Sequence, residues 1–252
     1  MSDISAEGLP ASGVPIRVGD VLSKAFALLS GKLGSFVLLA FVPLIPLLVL
    51  SFWTPAGPQL LGPFTQRVAP WGSLSDVLTF VLEPVAQAMI LYAAFQEMAG
   101  RPFSVVQSLG VGFARLVPVF CVVLLSRLFT GVAFLLLIVP AFIVFCMLYV
   151  AIPVCVIEKP GIFASLDRSA TLTKGSRWQI FGLLVLTTIV TGITQIVLEM
   201  ILGLATIWGK LFSFGWQVVA TCFGAVLVAV VYHELRMTRE GIDIDNLANV
   251  FD

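Results

Sequence analysis

Charge is scarce in this chain. Lys, Arg, Asp and Glu make up 11% of its 252 residues, and the 14 basic and 14 acidic side chains cancel. Without a basic excess the global electrostatic argument for nucleic acid is gone, and no nucleic-acid partner is expected. Histidine is almost absent: His233 stands alone, and one imidazole cannot build a metal site. No Gly-x-Ser-x-Gly elbow, His-Glu-x-x-His helix or Walker loop occurs, so the commonest routes to catalysis are missing and a non-enzymatic protein without a cofactor is expected. The four cysteines, Cys121, Cys146, Cys155 and Cys222, lie inside apolar runs with neither metal spacing nor paired loop positions, and read as small buried hydrophobes. The first fifteen residues lack a basic segment and carry Asp3 and Glu7, which predicts a polar tail over 1–15 in place of a cleaved signal peptide.

Apolar residues dominate instead, at 59% of the chain. Mean hydropathy is +1.07. Too little polar surface remains to cover a soluble globule, so lipid is the expected solvent. Crossing a hydrocarbon core takes about 20 apolar residues in a helix. Six stretches qualify: Leu33 to Trp53, Leu74 to Glu97, Leu116 to Leu137, Ile138 to Ile157, Trp178 to Leu202 and Phe214 to Leu235. The third and fourth form one apolar block, which requires a tight hairpin at Pro140. The predicted fold is an all-α bundle of six transmembrane helices over 16–240, followed by a short cytoplasmic tail over 241–252.

Eleven of the fourteen cations fall in alternate gaps between these stretches: Arg17, Lys24, Lys32, Arg101, Arg115, Lys159, Arg168, Lys174, Arg177, Arg236 and Arg239. Arg67 and Lys210 lie on the other side and Arg127 lies within a span. By the positive-inside rule both chain ends are cytoplasmic, in a bacterial inner membrane. Trp53, Trp71, Trp178, Trp208 and Trp216 fall near span ends, where an aromatic belt places them.

Each segment before an inward-starting span reads as a short interfacial amphipathic helix. Before the first span, Val18, Val21, Leu22, Ala25, Phe26, Leu28 and Leu29 oppose Asp20, Ser23, Lys24 and Lys32. Before the fifth, Ile162, Phe163, Leu166, Ala170 and Leu172 oppose Asp167, Arg168, Thr171 and Lys174. Superposing the two pairs Leu22 with Leu166, Lys24 with Arg168, Leu28 with Leu172 and Gly31 with Gly175. The stretch from Phe103 to Arg115 holds the equivalent place before the third span. The pattern predicts three parallel repeats of an interfacial helix plus a two-helix hairpin, unlike the inverted repeats common in secondary transporters.

Three sets of residues are candidates for function. Arg127, near the middle of the third span, costs about 2.5 to 3.5 kcal/mol there and calls for a partner, with Glu83 in the second span the expected one. The pair reads as a structural clamp, an element of an ion path or a headgroup site. Lys24, Lys32, Arg168, Lys174 and Arg177 are candidate contacts to anionic lipid headgroups. The Pro-rich loop from Thr54 to Gly72 carries Leu60, Leu61, Phe64 and Trp71, an apolar set suited to docking another membrane protein.

Several segments also resemble a known family. Leu137-Ile138-Val139-Pro140, Pro153, Glu158, Ala164 to Ser169 and Leu172 to Trp178 are similar to the membrane domain of the glycerophosphoryl diester phosphodiesterase family and its YciC-like integral membrane relatives. Tyr232, Leu235-Arg236, Glu240-Gly241 and Asp243 resemble its closing signature, and Val18 to Leu22 its opening helix. The resemblance covers nearly the whole length. It implies an anchoring, lipid-contacting or accessory role, with membrane lipid and a membrane complex as partners. The competing expectation is a small transporter or channel built around Arg127 and Glu83.

Overall fold

The computed structural model describes residues 17–53, 74–101, 104–202 and 206–240. All regular structure among them is helical: α1 (Val18–Gly31), α2 (Leu33–Trp53), α3 (Leu74–Met98), α4 (Val105–Ala114), α5 (Leu116–Leu136), α6 (Ile138–Met147), the single turn α7 (Ala151–Pro153), a π-helical turn (Val154–Glu158), α8 (Ile162–Thr173), α9 (Arg177–Leu202) and α10 (Ile207–Glu240). Six of its helical stretches are long and apolar enough to cross a membrane, the fourth being the broken run Val139–Glu158. In lipid a backbone must satisfy its own polar groups, and so runs rich in Val, Ile and Phe become helices here.

The order short, long, long recurs three times, with α1, α4 and α8 each leading into a pair of long helices. Each long pair packs on itself, and the pairs are joined mainly through α3 and α10. Half of the apolar window is buried in each of these two, against 11% in α9, so α3 and α10 form the axis and α9 lies at the periphery. The main core joins Val21, Phe36, Leu39, Met89, Ile90, Leu172, Val226 and Tyr232 across five helices. A smaller one gathers Ala88, Val119, Val122, Ala151, Cys155 and Leu166. Cys146, Cys155 and Cys222 are buried, and the Cys222 thiol donates to the Phe36 carbonyl at 3.3 Å.

Four expectations are corrected. The hairpin between the third and fourth spans turns at Leu137, which is extended (φ −167°, ψ 149°), and Pro140 lies in the first turn of α6. A proline there loses no helical hydrogen bond, so it need not mark the turn. The fourth span is not one helix: α6 stops at Met147, and the Ala151 N–H bonds Leu148 at 3.1 Å, stranding the Met147 carbonyl. Pro153, whose ring disfavours the carbonyl four residues earlier, explains the break. The Ser169 hydroxyl of α8 caps the stranded carbonyl at 2.7 Å. The face of α8 turned inward is accordingly Ser165, Leu166, Ser169, Leu172 and Thr173, while Phe163 is 72% exposed. The last helix extends well beyond Phe214 to Leu235, its 34 residues reaching roughly 50 Å at 1.5 Å per residue.

α4 packs back along α3. Gly112 is buried there, and a Cβ on it would stand 2.2 Å from Met89 Cγ and 2.8 Å from Met89 Cε. Gly112→Ala is therefore expected to destabilise the bundle by about 2 kcal/mol. Thermal unfolding in detergent measures this, and a double-mutant cycle with Met89→Ala should show that the two changes partly cancel.

Candidate functional site

One end of the bundle carries most of the charge. Three ion pairs occur among the described residues, and all three are at this basic end. Lys24 of α1 meets Glu234 of α10 at 2.6 Å. Lys32, between α1 and α2, pairs with Glu97 at the end of α3. Arg168 of α8 places Nε 3.1 Å from Glu158. The other Glu158 oxygen accepts the Tyr232 hydroxyl at 2.5 Å, and the Tyr232 ring, 1% exposed, meets Phe95 edge-on at 5.4 Å. Glu158 thus ties the fourth span, α8 and α10 together, and the π turn before it aims the carboxylate inward.

The three carboxylates follow the repeat. Glu97, Glu158 and Glu234 each stand near the end of the second long helix of a repeat. Lys24 and Arg168, equivalent when the first and third repeats are superposed, make equivalent pairs with Glu234 and Glu158. Sequence reasoning picked out the cations but missed Glu97, Glu234 and Tyr232. Comparing the span ends of the three repeats, and not only their opening helices, would have exposed the acids.

Lys24, Lys32 and Arg168 are thus bound to the protein's own acids. The side chains of Lys174 and Arg177 make no hydrogen bond or ion pair with a described residue, and Arg177 Nε is shielded from solvent without an acceptor. Arg127 and Glu83 do not form an ion pair. Glu83 is half-buried on α3, whereas the Arg127 side chain is exposed on the outer stripe of α5 that Leu124 and Leu128 share. Arg127 lies near the middle of α5, eleven residues from Leu116, so a long cationic side chain on this outer stripe must snorkel toward polar surroundings instead of closing a clamp. Leu60, Leu61, Phe64 and Trp71 lie outside the described residues.

At the opposite end, the Lys210 ammonium donates to the Ser51 carbonyl at 2.6 Å and lies 5.9 Å from the Phe52 ring centroid. Trp53, Trp178 and Trp208 are 84%, 83% and 67% exposed at helix ends, placing indoles at both ends of the bundle. No family model, curated protein or solved structure matches this chain.

Proposed function

We propose that this chain is a non-enzymatic integral membrane protein of the bacterial inner membrane, with cytoplasmic termini, that holds lipid at the inner leaflet and serves as an accessory or scaffold subunit of a membrane complex. The observation that carries the reading is the form of the three short helices. Each turns one face to the bundle and leaves large apolar side chains bare on another: Phe26 at 66% on α1, Val106 at 78% on α4 and Phe163 at 72% on α8. Lys24 on α1, its side chain 59% exposed, adds a cation that anionic headgroups attract. A short helix that packs on a bundle while baring phenyl groups suits the boundary between acyl chains and headgroups. The resemblance to the glycerophosphoryl diester phosphodiesterase membrane domain and its YciC-like relatives supports the same role.

Two measurements test it. Reporter fusions at Lys24 and Lys159 should both report the cytoplasmic side, and opposite sides would overturn the topology. Native mass spectrometry from mild detergent should find phospholipid bound to the wild-type chain, and a chain stripped of lipid under those conditions would overturn the role.

A further inference from the structure

We propose that Lys174, Arg177 and Arg239 form a binding site for the phosphate group of an anionic membrane phospholipid, an assignment that rests on the lipid-holding reading above. Lys174 and Arg177 flank Gly175 in the turn between α8 and α9. Arg239, in the last turn of α10, lies over the same turn, its Nη2 only 2.9 Å from where a Cβ on Gly175 would stand. Gly175 has φ +89°, and its bare backbone lets the guanidinium approach. Two cations of the turn and a third lying over it therefore share one small region, and none of the three side chains has a hydrogen bond or ion pair among the described residues. Their contrast with Lys24, Lys32 and Arg168, each facing a carboxylate, is the argument. Like charges gathered without a counter-charge repel. A phosphate supplies that counter-charge, and two guanidiniums with an ammonium suit its tetrahedral oxygens.

The surroundings specify the source. The next residue, Trp178, is 83% exposed and opens α9, the least buried of the six long helices. An amphipathic indole on a helix surrounded by lipid marks headgroup level. The anion then enters from the membrane plane with its acyl chains along α9, and phosphatidylglycerol is the representative ligand.

The test is native mass spectrometry of the full-length protein in detergent micelles holding both phosphatidylglycerol and phosphatidylcholine. The wild type should retain phosphatidylglycerol preferentially. Arg239→Gln, an exposed change at a helix end, should reduce that preference about tenfold. The triple change Lys174→Gln, Arg177→Gln, Arg239→Gln should abolish it. Lys210→Gln, at the opposite end of the bundle where the ammonium donates to the Ser51 carbonyl, should leave the preference intact while lowering the unfolding temperature. Preferential retention unaltered in both the Arg239 and the triple variant would overturn the site while leaving the lipid-holding role standing. A wild-type chain that binds no phospholipid would overturn both. Displacement of phosphatidylglycerol by inorganic phosphate at equal concentration would reassign the site to a soluble anion. If preference for phosphatidylglycerol appears only after Glu240, Asp243 and Asp245 are neutralised, the chain's own acids occupy the turn and the proposal falls.

Discussion

Glu158→Ala should lower the stability of the folded bundle by roughly 3 kcal/mol, the largest effect expected of any single exposed or half-buried charge here. The carboxylate serves two partners, with Tyr232 donating at 2.5 Å and Arg168 lying 3.1 Å away. Removing it strands both a buried phenol and a partly buried guanidinium, and stranded donors cost more than the net value of the bonds they made. The Lys24 pair provides the comparison. Its lysine side chain is 59% exposed, so Lys24→Gln should cost no more than about 1 kcal/mol. Thermal unfolding in one detergent ranks the two, and equal losses would mean that the Glu158 cluster adds nothing beyond an ordinary exposed pair. Tyr232→Phe should recover only part of the Glu158 effect, because it deletes one donor and keeps the ring against Phe95.

Ser169→Ala is expected to cost about 2 kcal/mol and to loosen the fourth span locally. The Ser169 hydroxyl satisfies the Met147 carbonyl exposed where α6 ends. The Thr173 hydroxyl, 3.4 Å from the same carbonyl and 2.9 Å from the Ser169 carbonyl, is a weaker second donor, so the double variant with Thr173→Val should lose further stability. Hydrogen exchange at Leu148 to Ala151 should accelerate selectively in both variants. Faster exchange spread evenly over α5 to α9 would show that the cap has no local role.

The helix order was legible because about 20 apolar residues between polar gaps admit few alternatives in a bilayer. Internal detail was less so, for reasons tied to individual residues. Pro140 drew the hairpin toward itself, although proline suits a helix's first turn as well as a bend. Ser165, Ser169 and Thr173 entered neither face in the periodicity of α8, yet they face inward, and Ser169 and Thr173 supply donors to the Met147 carbonyl left by the break before Pro153, a tertiary demand that no local pattern carries. Which basic residues of the charged end face an acid depends on side chains such as Glu97 and Glu234 lying far off in sequence. Arg127 was read at mid-span and does lie near the middle of α5; what counting along a helix could not show is that its side chain faces outward and forms no pair with Glu83.

The contact between Lys24 and Glu234 joins residues 210 positions apart, near the first and last of the described residues. Pulling on either terminus loads that contact early, so neither end peels away independently and mechanical extraction must first break a bond between opposite ends. A membrane protease or translocating motor gripping one tail would thus meet resistance from the other. Single-molecule force spectroscopy should record an early rupture peak with wild-type protein whose force falls modestly in Lys24→Gln, because α1 and α10 also pack on each other.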